Sequence, residues 1–246
     1  MMKELAPGLR ITLALTVLTG LIYPAVMTGL SKAIFPRQAN GSLVTENGKV
    51  VGSTLIGQAF SKPEYFHPRP SSAGSGYDAT ASAGSNLGPT SAKLLHGTTK
   101  TDDKGKDIVD FDGLADRVVH YCVENELPYD ASAPLDSFKD SQGNLDDVKL
   151  IKAFNDPKSP LTFTPKVPIP SDAITGSASG LGPHISPANA DLQAARIAKT
   201  RGASTEQVRT LIAQSTDHPD LGFLGEPRVN VLMLNLALDK NYPVRK

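Results

Sequence analysis

The 246-residue chain has one cysteine and no surplus of either charge. A single thiol, Cys122, cannot close an internal disulfide or build a Cys-based zinc or redox motif. Lys+Arg and Asp+Glu stand at 25 each. That balance argues against a protein whose work is electrostatic binding to nucleic acid. No Gly-x-x-x-x-Gly-Lys-Ser/Thr phosphate loop occurs, and no Gly-x-Gly-x-x-Gly opens a helix. No Gly-x-Ser-x-Gly elbow or His-Glu-x-x-His pair is present. The histidines are His67, His96, His120, His184 and His218, with no two of them four apart, so the expectation is no local metal site. Serine, aspartate and histidine all occur, but no motif flags a catalytic triad. Hydrophobic residues make up 39%, enough for a globular core but too few for a polytopic membrane protein.

Against these absences stands one long uncharged run, residues 11–30, reading ITLALTVLTGLIYPAVMTGL. As a helix it is about 30 Å long, the thickness of a hydrocarbon core. A secretory signal has a shorter apolar region that ends at a small-x-small cleavage site. Residues 30–34, LSKAI, offer a poor one. A single transmembrane helix is therefore expected, with a cleaved signal on a secreted protein as the alternative. Thr12, Thr16, Gly20, Pro24 and Thr28 recur at every fourth position and form one ridge of small or polar groups. Such a ridge lets another membrane helix approach closely. Pro24 should disturb the helix, because it lacks the N–H that bonds to the previous turn. Lys3 and Arg10 precede the run, and Lys32 and Arg37 follow it, so the charges do not set its orientation.

Glycine (21) and proline (19) are abundant and predict long irregular segments. Asn47-Gly48 between apolar residues signals a hairpin. Residues 71–91, SSAGSGYDATASAGSNLGPTS, are either a flexible linker or an ordered loop anchored by Tyr77 and Leu87. Residues 99–107 are charged and read as an exposed loop. A helix follows, capped by Asp112, with Leu114, Val118, Tyr121 and Cys122 on its inner face, and ends at Pro128. A second short helix is expected over 145–154, and the five prolines of 157–170 imply an extended connector. Ser186-Pro187 should start a helix that Gly202 stops. Ser204 and Gln207 form a capping box for the next one. Residues 227–239 are nearly all apolar and favour a helix capped by Asn230 over a core strand. Two helices joined near Gly202 have helix-turn-helix spacing, but neutral charge speaks against DNA as the ligand.

Five segments, in order, resemble one family. They are Gly52-Ser53-Thr54-Leu55-Ile56-Gly57-Gln58; Tyr65-Phe66 with Arg69-Pro70-Ser71; Gly84-Ser85-Asn86-Leu87-Gly88-Pro89-Thr90; Ser179-Gly180-Leu181-Gly182-Pro183-His184-Ile185-Ser186-Pro187; and Leu224-Gly225-Glu226-Pro227-Arg228-Val229-Asn230-Val231-Leu232. With the N-terminal apolar run, they resemble the C-subunit (KdpC) family of the bacterial Kdp-type potassium-transporting ATPase. The resemblance implies a non-catalytic accessory subunit in the bacterial inner membrane. Its expected partners are a channel-like potassium-translocating subunit, a P-type ATPase subunit and the lipid bilayer. Potassium is then the transported substrate, and ATP is used through the complex with no cofactor bound firmly. The implied architecture is α+β: a short cytoplasmic tail (residues 1–10), a transmembrane helix (11–30) and an extracytoplasmic domain (31–246). Residues 98–165 look longer than the family pattern and read as a surface-loop insertion. The family usually has Asp where this chain has Gly182. A catalytic-chaperone role, raising the ATP affinity of the pump subunit, attaches by resemblance to Gln58. Partner contacts are expected at Thr12, Thr16, Gly20 and Thr28 on the helix and at Asn86 and Leu87 in the loop.

Overall fold

The structure, a computed structural model, describes residues 2–244. Met1 of the expected tail and residues 245–246 of the expected domain lie outside the described residues. The chain forms two compact units, one ending at Leu55 and the other beginning at Ile56.

In the first unit, helix α1 (Met2–Val17), a π turn (Leu18–Ile22) and helix α2 (Tyr23–Ile34) follow without interruption. Leu5–Ile34 is long and apolar enough to cross a membrane. The helix is therefore longer than the uncharged run, and residues 2–10 are helical. The π turn is how the chain accommodates Pro24. With no N–H at Pro24, the Tyr23 N–H reaches back five residues to Leu18 O, opening one turn. A hairpin follows, β1 (Leu43–Glu46) against β2 (Lys49–Ser53). Its turn residues Asn47 and Gly48 both have positive φ (50° and 75°), as an Asn-Gly type I′ turn requires.

The second unit has mixed α and β structure around two apolar clusters. The first layer holds β3 (Thr98–Thr101), β4 (Asp107–Phe111), α3 (Leu114–Glu124), β5 (Tyr129–Ala131), α4 (Asp147–Phe154) and β6 (Phe163–Pro165). Two sequence expectations are corrected here. Residues 99–107 are not a plain loop, because β3 and β4 pair antiparallel and only their connection is a turn. Asp112 does not cap α3; Gly113 holds that position, and the Asp112 carboxylate instead takes two bonds from Arg117, at 2.7 and 2.9 Å. Nor is the region a bare surface loop. Val119, Leu135, Leu150, Phe154 and Leu161 are buried together, and Tyr129 stacks on Phe163 at 4.6 Å. Alternation of short apolar patches with charged turns hid this core from the sequence pattern.

The second layer is the one the sequence signalled best. Helices α5 (Pro187–Arg201), α6 (Thr205–Gln214) and α7 (Val231–Asn241) pack with a sheet in the order β7 (His184–Ile185), β9 (Arg228–Asn230), β8 (Thr216–Asp217). Ser186, Ser204 and Asn230 each accept a backbone N–H at their helix start, and Gly202 ends α5 at φ 66°. The run 227–239 is a strand and then a helix, split at Asn230.

One feature of this layer has no apolar signature. α5 buries Asn189, Gln193 and Arg196, spaced so that they share a helical face, and Arg201 at its last position. Gln193, Arg196 and Arg201 serve an irregular segment, residues 63–67. Arg196 donates to Pro63 O and Tyr65 O, Arg201 to Glu64 O, and Gln193 bonds both His67 N and His67 O. Asn235 of α7 closes on Phe66 N (2.9 Å) and Phe66 O (3.0 Å). Phe66 is thereby fully buried without belonging to a strand.

Asn235→Ala should destabilise the detergent-solubilised chain by about 2–4 kcal/mol, because two buried backbone groups lose their partner. Ser204→Ala, which removes one exposed cap, should cost about 1 kcal/mol. Denaturant unfolding followed by circular dichroism measures both, and equal losses would contradict this account of residues 63–67.

Candidate functional site

The motif segments in the second unit are far apart in sequence and adjoin in space. Gly57 N donates to Leu181 O at 2.9 Å, and Ala83 N donates to Ser179 O at 3.0 Å. Ser71 Oγ donates to Gly180 O at 2.6 Å while accepting from Tyr77 N at 2.8 Å. The Tyr77 hydroxyl donates to Arg69 O at 2.9 Å and approaches Gly182 O at 3.4 Å. Burial pushes this phenol up to about 12, so it remains a donor at any physiological pH. Residues 71–91 are therefore an ordered loop and not a linker, with Tyr77 as its anchor.

Two glycines show how close the approach is. A Cβ on Gly57 would lie 2.5 Å from Tyr77 Cε1 and 2.7 Å from Gly182 O. A Cβ on Gly180, at φ +68°, would lie 2.5 Å from Ala83 O. At Gly182 a Cβ would press on the Ser177 side chain at 3.1 Å. Ser177 Oγ instead accepts from Gly182 N at 3.1 Å.

A cleft of about 410 Å³ opens beside this staple, lined by Phe60, His67, Arg69, Tyr77, Arg117 and Glu124 among others. Its charges already have partners in the fold. Arg69 donates to Thr175 O and Gly176 O. Arg117 holds Asp112 and Ile174 O. His67 Nδ1 lies 2.8 Å from Glu124, and its Nε2 lies 2.9 Å from Lys62 O. Burial alone would raise Glu124, but the His67 hydrogen bond and nearby positive charges outweigh it and hold the carboxyl below its ordinary value. Neither His67 nor His120 is bonded to a hydroxyl or thiol. Cys122 is buried, and burial raises its thiol to about 11. This is the chemistry of a fixed surface and not of a nucleophile with its base.

The other expected residues lie as follows. Gln58 is half-buried next to the Gly57 contact and has a polar partner. Asn86 is exposed at φ 54°, a backbone region that Asn tolerates better than most residues. Leu87 is half-buried in a shallow cleft with Ser71, Lys93 and Phe111. Thr12, Thr16, Gly20 and Thr28 are exposed along the N-terminal helix. The structure thus gathers Gln58, Tyr77 and the 179–187 segment, while the helix residues belong to the other unit.

Two features escaped the sequence reading. Leu221 and Phe223, 83% and 74% exposed, form an apolar loop tip next to the Leu224-Gly225 motif. Asp116, His120 and Asp147 bring three possible ligand atoms within 4.8 Å of one another. The expectation of no local metal site considered histidine pairs only. Asp116 and His120 are four residues apart on α3, a spacing that could have flagged them.

The family model described as KdpC: K+-transporting ATPase, c chain, matches residues 5–118 and 125–240. A potassium-transporting ATPase KdpC subunit of Mycobacterium tuberculosis is 44% identical over 240 residues, covering 98% of this chain and all of that protein. One of Caulobacter vibrioides is 44% identical over 244 residues, covering 99% of this chain and 96% of its own. One of Koribacter versatilis is 41% identical over 244 residues, covering 99% and 98%. These alignments run through residues 98–165 along with the rest.

Gly57→Ala should loosen the staple around Tyr77 and lower the midpoint of thermal unfolding, whereas Gly48→Asn at the open hairpin turn should leave it nearly unchanged. His184 supplies a pH test. Burial, with Arg228 second, holds its imidazole below the ordinary 6.5. The unfolded chain then gains a proton that the folded chain resists, so this contribution is complete above about pH 6.5 and is lost as pH falls below it. The unfolding midpoint of His184→Gln should gain on that of the wild type between pH 7.5 and 5. Parallel curves would refute the assignment.

Proposed function

Because the chain belongs to the KdpC family and is an accessory, non-catalytic subunit of a potassium-transporting ATPase, we propose that it acts as an assembly subunit with two docking surfaces. Potassium is the ion its complex transports, and ATP is used by that complex. The alternative of a secreted protein with a cleaved signal is not supported, since the family match begins at residue 5 and runs through the apolar helix. In this reading the helix crosses the inner membrane once, and the unit beginning at Ile56 lies on the extracytoplasmic side. The partners are a channel-like potassium-translocating subunit and a P-type ATPase subunit. The observation that carries the proposal is the pre-built loop surface around Tyr77, whose polar groups serve the fold and perform no reaction.

The first docking surface is the helix ridge. Thr12 and Thr28 are sixteen positions apart. In a plain α-helix, at about 100° per residue, the ridge would wind about 160° around the axis. The π turn takes up one extra residue and returns about 100° of that, keeping Thr12, Thr16, Gly20 and Thr28 nearer one face. Small residues on one face permit the close backbone approach that drives helix association in lipid.

The second docking region lies in the unit beginning at Ile56 and has two separate parts, the loop around Asn86 and Leu87 and the apolar tip at Leu221 and Phe223. Ordering the loop in advance removes an entropy cost from association. Gln58, to which the family resemblance attaches an ATP-affinity role, is then a positioning residue for this surface and makes no contact with nucleotide. With the domain outside the membrane, its influence on ATP affinity runs through the partner's conformation. The residue behind that catalytic-chaperone role thus acts at a distance.

Purification of the tagged chain from its native membrane in mild detergent tests these assignments. Gly20→Ile should lower recovery of the ATPase subunit several-fold, while Leu21→Ile should not. Leu87→Ala and Phe223→Ser should each weaken recovery. Asn86→Gly, which keeps the backbone permitted, separates loss of the side chain from strain. Gln58→Ala should raise the ATP concentration needed for half-maximal activity with recovery retained. Unchanged recovery across the ridge and loop variants would rule out both surfaces.

A further inference from the structure

We propose that Asp116, His120 and Asp147 form a binding site for one first-row divalent transition ion, with Zn2+ as its probe. The backbones carrying these side chains are fixed. Asp116 and His120 lie one turn apart on α3, and Asp147 is the first residue of α4, capped by Asp146. Val119 and Leu150, fully buried, anchor the two helices in a shared apolar cluster.

The distances suit a small cation. His120 Nε2 lies 2.8 Å from Asp147 Oδ1 and 3.9 Å from Asp116 Oδ1. A four-coordinate ion with bonds of about 2.0–2.2 Å holds its ligand atoms about 3.4 Å apart. The observed separations bracket that value. His120 and Asp147 are partly exposed, so both can make the small adjustment and leave a coordination position open to water.

Asp116 provides the independent sign of a missing ligand. It is only 3% exposed, and its Oδ1 has no hydrogen-bond partner among the described residues. A buried carboxylate oxygen without a partner is costly and rare. The cation beside it in sequence, Arg117, is committed to Asp112 and Ile174 O. His120 stands too far away for a hydrogen bond. The orphan oxygen is the atom that faces His120 Nε2, and a cation between them would satisfy it.

The donor set narrows the ion. One imidazole nitrogen with two carboxylate oxygens suits zinc and its first-row neighbours; calcium and magnesium favour oxygen-only shells. Such an ion would pin α3 to the start of α4 and close the layer formed by residues 98–165. It would take no part in transport chemistry.

The test uses the full chain in detergent, purified without a polyhistidine tag and stripped with chelator. Calorimetric titration with Zn2+ should show one saturable equivalent, and Zn2+ should raise the unfolding temperature reversibly, with chelator undoing the shift. Asp147→Asn and His120→Gln should each weaken binding at least about tenfold. Asp130→Asn, at a distant exposed ion pair, should bind as the wild type does. Co2+ in place of Zn2+ should give a visible absorption band that Asp147→Asn abolishes. Asp147 is exposed enough that its substitution leaves the fold intact, so the result does not depend on the buried Asp116. Absence of saturable binding, or equal affinity in Asp147→Asn, His120→Gln and the wild type, would overturn the proposal.

Discussion

Phe66 is buried in a stretch of chain that cannot join a sheet. Pro63, Pro68 and Pro70 surround it, each lacking a backbone donor and restricting the residue before it. The backbone groups at residues 63–67 still need partners once water is gone, at about 1–3 kcal/mol for each one left unmade. Side chains supply them. Gln193, Arg196 and Arg201 from α5 and Asn235 from α7 form a polar lining inside an otherwise apolar core. Arg201 also lies over the Tyr65 ring at 4.8 Å, so its unbonded Nη2 rests against a π face. Once residues 63–67 are fixed, so is the position of Arg69, and through Arg69 O that of Tyr77.

The glycine-rich segment that follows gains its order from that anchor. Its composition matches that of a flexible linker, yet its polar groups close on residues 175–182 through backbone and hydroxyl bonds. Glycine here permits close approach and confers no mobility. At Gly57 and Gly180 any side chain would collide with a carbonyl. The same composition therefore supports two opposite readings, and what separates them is whether a second segment with complementary gaps exists in the chain. Residues 175–182 are that segment.

Legibility followed the range of the physics. Features set by local rules could be read directly: the apolar run, the Asn-Gly hairpin turn, the proline-led start of α5, its glycine stop and the Ser204–Gln207 box. Each is a backbone constraint satisfied within a few residues. The features that escaped are set by distant partners. Asp112 had the right character for a cap, but Arg117 competed for it and Gly113 took the position. The buried polar residues of α5 gave no signal, because sequence pattern cannot distinguish polar groups facing water from polar groups facing an irregular backbone. The strands at 98–111 carry too few apolar residues to announce themselves, and their stability comes from the helices they meet. Of the candidate surface, the motifs were visible as strings, while their convergence on Tyr77 was not.

A subunit without catalytic groups can alter the work of a pump only by binding one of its conformations better than another. Differential binding needs a surface that keeps its shape while the partner changes. A floppy loop would follow the partner through its cycle and favour no state. The closure of residues 71–83 onto 175–182 opposes this, since a shift in that stretch breaks the Ser71 bond to Gly180 and the Ser82 and Ala83 bonds to Ser179. In the docking role proposed for it, the helix meets the same requirement by other means. In lipid it has no hydrophobic drive toward a neighbour, so its selectivity rests on how evenly small residues face one side. The π turn that accommodates Pro24 also brings Thr12, Thr16, Gly20 and Thr28 nearer one face, which the proposed helix contact would use. Both proposed surfaces thus trade local regularity for a fixed shape, which is the property an accessory subunit needs in order to act on a moving partner.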